Sequence, residues 1–564
     1  MSDSLTTHEK RFLFFLAIGS LIALYLGWRL MWFLTDDAFI AFRYISNSLL
    51  GLGYVWNAPP FRPVEGYTSF LWVLLLDIVW RVSGVHPPRA ANWISLFFSG
   101  LTLLLGAIML LKMLSRGRLR PYRVYILAFV MIGVLSNRTF LAWTSSGLET
   151  AMFNFLVTAW VFSALFLPAG TPLRVFLTSL TTALIYLTRP DGMLTTLATI
   201  LLAGYDLLLI FRTQKTFFIR GLACAAPLLL VPAHFLWRKL TYGEWLSNTY
   251  FAKTVSGRLW FESGWQYFLS FVIEYSLWVW LAVLAFFIVQ YLVRLNRRDN
   301  FFISQLIAPA IVILTLVGHF VYYTFVIGGD YFEYRVYSHL VLLLFVTLAA
   351  MLNRLNWHAG VSFSVLALAV ILALPIPWTH WAATRDLTTR DKFIKLEVSV
   401  ASQFSRLLPN IPGPLLGYLQ FYDSLQFWLI GHYVCIRQQE LKLLADSLLE
   451  FYPSRQEGAL VSGEEHPVAT QIGVGVIGWV LPHVNLIDLV GLNDYVIARN
   501  PQLRPGARMA HERQPPKGYV ECFDPNVRFP RGKLVVIARK QPLTAEKIVQ
   551  CENDYAGMIA QLSK

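Results

Sequence analysis

The chain reads as a polytopic α-helical membrane protein followed by a soluble C-terminal domain of mixed α/β type. Three observations predict this. Only 14% of the 564 residues are charged while 56% are hydrophobic. Soluble chains are about 25% charged, so polar surface here is too scarce for water. Apolar runs long enough to cross a bilayer recur up to Trp378. Beyond it, residues 379–564 hold more charge, dispersed Pro and Gly, and no further spanning run. This composition excludes a disordered chain and argues against a soluble multidomain enzyme. Four cysteines (Cys224, Cys435, Cys522 and Cys551) are too few for a disulfide scaffold or an obvious metal cluster.

Spanning runs are predicted at 12–34, 92–113, 124–142, 150–168, 175–188, 193–211, 218–237, 266–293, 302–327, 336–352 and 360–378, about 11 transmembrane helices. The run 175–188 is short, yet the topology needs it. Thr68–Ser83 has the length of a helix lying at the membrane interface. The polar opening ending in Lys10-Arg11 lacks a small-residue cleavage site, so the first helix is expected to stay as an anchor.

Basic residues set the orientation. Lys10 and Arg11, then Lys112 to Arg123, Arg174, Arg212 to Arg220, Arg294 to Arg298, and Arg354 fall at every second connection. The connections 35–91, 143–149, 189–192, 238–265 and 328–335 then face outward. Residues 1–378 hold 27 basic and 15 acidic residues, and the cytoplasmic segments alone hold 15 and three of these. The net charge of +14 is therefore mostly a topology signal, and no nucleic-acid partner is implied. Parity puts the 379–564 tail outside as well. Gly473–Val480 and Lys533–Ala538 read as strands there and Leu441–Glu450 as a helix. With three cysteines the tail can form at most one internal disulfide. No short repeats or low-complexity segments occur.

The chemistry-bearing motifs share the outer face. Asp36 and Asp37 stand side by side at the mouth of the first span, where carboxylates are costly unless hydrated, paired or used. A partly desolvated carboxylate has a pKa suited to general-base work. The plainer role is a helix N-cap, since Ala38–Leu50 reads as helical. Further along the loop come Gly51-Leu52-Gly53-Tyr54-Val55-Trp56-Asn57 and Val64-Glu65-Gly66-Tyr67. Asn57, Glu65 and Tyr67 either line a cavity or brace the loop, while Trp72 and Trp80 suit an interfacial belt. Ser145–Thr150 with Glu149, Arg189-Pro190-Asp191-Gly192, and Gly328–Arg335 with Asp330 and Arg335 each read alone as a turn or cap. Together they predict an outward polar cavity in which Arg43, Arg189 or Arg335 meets a phosphate. His234, Arg238, Lys239 and Lys253 are further basic candidates.

These strings carry a resemblance. DDAFIAFRYISNSLLGLGYVWN…VEGYTSFLW resembles the first periplasmic loop of bacterial membrane arabinofuranosyltransferases, a GT-C family that uses polyprenyl-phosphate sugars. SGLETAM, RPDG and GGDYFEYR extend the likeness, as do Asp488–Asp494 and His511-Glu512-Arg513 in the tail. The departures are Ala58-Pro59-Pro60-Phe61 and the RPGARMAHER spacing, both of which bear on the acceptor. The resemblance implies a GT-C module over 1–378, two juxtamembrane helices in the 35–91 loop, and a periplasmic domain over 379–564. It also implies transfer of a sugar, D-arabinofuranose, from a polyprenyl-phosphate donor to an acceptor glycan or surface protein. The setting is the outer face of the bacterial inner membrane, with the lipid bilayer as partner.

Asp36 and Asp37 are the expected catalytic pair, with Asp36 as the base and Asp37 orienting the acceptor or supporting a metal. Trp479, Asp494 and His511 are candidates in the tail. A divalent cation stays open, because paired Asp residues are hard oxygen ligands. No nucleotide-binding G-x-x-x-x-G-K-[ST] loop is present. Two alternatives stand beside this reading: a transferase for another polyprenyl-linked sugar, and a transporter for a lipid-linked substrate. Transporters place ionisable groups near the midplane and show internal repeats. The acids here sit at outer span ends, which favours the enzyme.

Overall fold

The computed structural model describes residues 5–213, 215–253, 258–295, 306–389, 398–505, 509 and 511–562. Arg297, Arg298, Asp299, the opening of the 302–327 run, and Gly506, Ala507, Arg508 and Ala510 before His511 lie outside them.

Among the described residues, seven helices are long and apolar enough to span a membrane: Thr7–Leu30, Pro87–Met113, Pro190–Thr213, Phe218–Tyr242, Ile307–Ile327, Arg335–Leu355 and Ala359–Thr384. The shorter apolar helices Thr150–Phe166 and Pro172–Thr188 stand where two further spans are predicted. The first helix opens with a capping box in which Thr6 and Glu9 satisfy each other's backbone amides.

Two predicted spans are broken. The 124–142 run is two helices, Arg123–Leu135 and Arg138–Ala142, because the Asn137 side chain caps a new start at the Phe140 amide (3.0 Å). The 266–293 run bends by 93° between Phe261–Glu274 and Trp278–Val293. At the corner Ser276 lies at φ 49° and Glu274 is held by buried Arg437 at 2.7 Å. A continuous apolar run hides such corners, since hydropathy reports burial and not direction.

The first outer loop holds two helices, Asp36–Leu49 and Phe70–Ser83, at the two places expected. The tail is mixed α/β. Helices Val400–Leu407, Gly413–Gly431 and Gln438–Phe451 lead to strand Val468–Gln471, which pairs in parallel with Asn485–Asp488. A second small sheet pairs Val527–Arg528 with Val535–Val536 in antiparallel register, inside the predicted Lys533–Ala538 stretch. The final helix, Ala545–Leu562, is tied by the Cys522–Cys551 disulfide.

Gly473–Val480, read as a strand, contains instead the helix Gly475–Val480. All six residues of that helix are buried, so the alternation that separates strand from helix is lost. Its glycines also permit close contact. A Cβ on Gly475 would lie 1.7 Å from the Asp36 carbonyl oxygen.

One hydrophobic core runs from the membrane helices through the first outer loop into the tail, joining Phe39 and Trp72 to Val476, Ile477 and Leu486. A second core belongs mainly to the tail, and the loop's Phe61 enters it beside Phe523, Tyr519 and Ile548. The Ala58–Phe61 stretch is thus a plug between loop and tail.

Candidate functional site

Thr35 caps the first outer helix, its hydroxyl accepting the Ala38 amide at 3.2 Å, so neither Asp36 nor Asp37 is needed as the cap. The two carboxylates meet different surroundings. Asp36 is buried against the tail and accepts the amides of Val476 at 2.7 Å and Gly475 at 3.3 Å. Burial pushes its carboxyl up to about 6; the two amides oppose the rise and the Asp37 charge adds to it. Asp37 is partly exposed and, among the described residues, forms no hydrogen bond or ion pair. Its charge acts on His511, whose ring packs on Tyr331 with centroids 5.8 Å apart. Burial holds the His511 imidazole below its usual range, while the Met509 carbonyl and Asp37 pull the other way.

The two carboxylates expected to form the catalytic pair therefore differ in how far they are engaged. The oxygens of Asp36 are engaged by the tail's backbone, and Asp37 is the more open of the two.

Beside this pair, three sequence motifs converge. The Ser145–Thr150 turn lies directly under the first outer helix, with Thr35 donating to the Ser146 carbonyl at 3.0 Å. A Cβ on Gly147, at φ 78°, would lie 2.7 Å from Ala38, so only glycine fits. The helix Pro172–Thr188 ends at Arg189 because Pro190 follows. The Gly328-Gly329 pair, at φ 89° and 95°, turns the chain so that Asp330 and Arg335 face back.

The result is one cluster of buried charge. Arg189 pairs with Asp191 at 3.2 Å, donates to the Tyr323 hydroxyl at 2.7 Å and lies 3.8 Å from Glu149. Arg335 pairs with Asp330 at 2.8 Å. His319 Nε2 meets Asp191 at 2.7 Å and its ring packs on His339. Arg189 and Arg335 also feel each other's charge. Two guanidiniums in one partly desolvated place suit a phosphate, which presents oxygens in the fork geometry that Arg matches.

Sequence reasoning missed His319, Tyr323 and His339. The signal was present, since histidines inside apolar runs are ionisable groups at membrane depth. It also missed the network behind the cluster, in which fully buried Glu333 accepts from Arg138 (3.1 Å) and Arg437 (2.9 Å). That network holds the Gly328–Arg335 loop in place.

The other predicted site residues are engaged elsewhere, some on the joint between loop and tail and some against the helix Phe218–Tyr242. Arg43 donates to the carbonyls of Trp56 and Val484 (both 2.7 Å), Gly478 (2.9 Å) and Leu481 (3.2 Å), which leaves it no phosphate. Asn57 exchanges two hydrogen bonds with the Leu486 backbone. Glu65 is ion-paired with Arg238, and the Tyr67 hydroxyl meets that of Tyr242 at 3.3 Å. Asp494 caps the helix Tyr495–Arg499 and accepts from Tyr519. Trp479 packs between Trp80 and Arg455, and Trp72 donates to the Gly147 carbonyl. His234 is buried among Phe70, Tyr186 and Trp237, and Lys239 donates to the Gly243 carbonyl. Lys253 lies close enough to His511 for its charge to be felt there. Among the described residues no group of three His, Cys, Asp or Glu could hold a metal ion.

No protein-family model matches the chain. It is 27% identical over 348 residues to the terminal β-(1→2)-arabinofuranosyltransferase of Corynebacterium glutamicum, covering 56% of this chain. The chain thus spans about half the length (48%) of that curated relative. In structure it is similar to ArnT from Cupriavidus metallidurans in the apo state, with a TM-score of 0.50 at 11% identity, covering 87% of this chain and 88% of that one. The same Cupriavidus protein bound to undecaprenyl phosphate gives a TM-score of 0.47 at 12% identity, covering 84% and 85%. The chain is a polytopic α-helical membrane protein with the GT-C fold, similar in sequence to a terminal arabinofuranosyltransferase.

Proposed function

We propose that this chain is a membrane glycosyltransferase that moves D-arabinofuranose from a polyprenyl-phosphate donor to a hydroxyl of an acceptor glycan or surface protein. The observation that carries the reading is the open carboxylate of Asp37 on a helix whose cap, Thr35, is hydrogen-bonded to the Ser145–Thr150 turn, the turn whose Glu149 lies 3.8 Å from Arg189 in the charged cluster. The acceptor hydroxyl loses its proton to Asp37 as its oxygen bonds to the anomeric carbon. The bond from that carbon to the phosphate oxygen breaks, and Arg189 and Arg335 meet the charge that develops there. Asp36 fixes the helix that carries Asp37. Glu149, Asp191 and Asp330 orient the guanidiniums.

The basic residues at alternate connections support an outward-facing site in the bacterial inner membrane. The Cys522–Cys551 disulfide supports an oxidising, extracytoplasmic tail. The named relative supports arabinofuranose over other polyprenyl-linked sugars.

The test is transfer by the purified full-length protein, using synthetic polyprenyl-phosphate arabinofuranose and a panel of glycan acceptors. Asp37→Asn should cut the rate of product formation by about 10²–10⁴-fold while the protein elutes as wild type. Undiminished transfer by that variant would overturn the assignment. Transfer only from a different polyprenyl-linked sugar would keep the chemistry and replace the substrate.

A further inference from the structure

The helix Gly413–Gly431 lies in the tail, where the sequence predicts a soluble domain. Its 19 residues contain a single charge, Asp423. That charge is turned inward, accepting the amides of Val400 (2.8 Å) and Ala401 (2.9 Å) and the Ser399 hydroxyl (2.9 Å). The outward side is uncharged: Phe421 (49% exposed) and Phe427 (38%) flank exposed Gly417, Gln420 and Ser424, and Leu415 (44%) is exposed in the first turn. The preceding helix ends in Leu407 and Leu408, 74% and 56% exposed, next to exposed Arg406. A helix facing water normally carries charge on its outer face. This one does not.

Its place explains the composition. Tyr418 donates to the Ile273 carbonyl at 2.7 Å and Tyr422 to Glu274 at 2.8 Å, at the corner where the chain turns by 93°. Leu419, Tyr422 and Leu425 share a small core with Ile273 and with Ile376 of the last spanning helix. Trp278, just past the corner, is itself 46% exposed. The uncharged face thus continues the apolar surface of the membrane helices at their outer ends.

We propose that Gly413–Gly431, with Leu407 and Leu408, lies in the outer-leaflet interface, so that part of the tail rests on lipid. Phe421 and Phe427 enter the acyl boundary, and Arg406 meets lipid phosphates. A second copy of the chain, or a bound acceptor, would cover the same face without lipid.

The test labels a single introduced cysteine with the fluorophore NBD in the full-length protein. Cys224→Ser removes the partly exposed thiol, Cys435 is buried, and Cys522 and Cys551 are paired. Phe421→Cys and Phe427→Cys are compared with Glu464→Cys, an exposed tail position, in phosphatidylcholine–phosphatidylglycerol nanodiscs. Labels at 421 and 427 should be blue-shifted, lose intensity to lipids carrying a shallow doxyl group, and resist iodide. The label at 464 should do none of these. Iodide quenching at 421 and 427 equal to that at 464 would overturn the proposal. Shielding from iodide without doxyl quenching would overturn it in favour of a protein or glycan cover. If one variant does not fold, the other carries the same reading.

Discussion

The Asp36 carboxylate accepts the Val476 amide at 2.7 Å, joining residues that stand 440 apart in the chain. The next residue, Asp37, has no such partner among the described residues, and the two should respond oppositely to substitution. Asp36→Ala leaves two buried amides unpaired, a cost of about 1–3 kcal/mol, read as a lower thermal unfolding midpoint in detergent. Asp37→Asn should leave that midpoint unchanged and lower kcat by about 10²–10⁴-fold, the range of a lost general base.

Gly475→Ala tests the same joint sterically. The added methyl would meet the Asp36 carbonyl oxygen at 1.7 Å, so the tail has to shift. Overpacking of this kind costs about 1–3 kcal/mol. The expected outcome is an early proteolytic cut within the tail, while the membrane helices remain protected.

Arg189→Gln and Arg335→Gln should raise the donor KM more than they change the acceptor KM. Loss of one charge-assisted bond to the lipid phosphate, about 1.5–3 kcal/mol, corresponds to roughly tenfold or more in kcat/KM for the donor. Steady-state kinetics with each substrate varied separately would show it. Arg43→Gln should affect stability and not donor KM, since its guanidinium is taken by backbone carbonyls.

The tail should lose stability as pH rises. Burial pushes the Glu552 carboxyl up to about 8, with the Asp494 charge adding to the rise. Asp494 itself is raised to about 6 by burial. A raised folded pKa means the native state holds its proton while the unfolded chain has released it. The contribution is full below about 4 and is lost as pH climbs through 6 and then 8. Thermal midpoints should fall from pH 5 to pH 8.5, and Glu552→Gln should flatten the upper part of that slope.

The fold was largely legible because its signals are additive. Hydropathy located the helices, and alternate basic connections gave a consistent path. Corners were not legible: Asn137 and Ser276 redirect the chain through one cap and one left-handed residue inside runs of unbroken hydropathy. At the candidate site, the motifs marked residues that the fold brings together without showing how their surroundings differ. Arg43, Asn57 and Glu65 look like ligand-binding groups in sequence, yet each is spent on a distant backbone or an ion pair. Adjacent Asp36 and Asp37 could be separated only by knowing that Gly475 and Val476 arrive from the other end of the chain.

That arrival has a consequence for how the protein is made. Ribosomes deliver the first outer loop early and the Gly473–Val480 segment hundreds of residues later. A chain halted after its last membrane helix would already carry Asp37 and both cluster arginines. It would lack the amides that seat Asp36 and the carbonyls that hold Arg43. The newly inserted bundle is therefore expected to hold Asp36 and Arg43 without their partners until the tail has been made, so the first outer loop takes its final form only when synthesis is nearly finished.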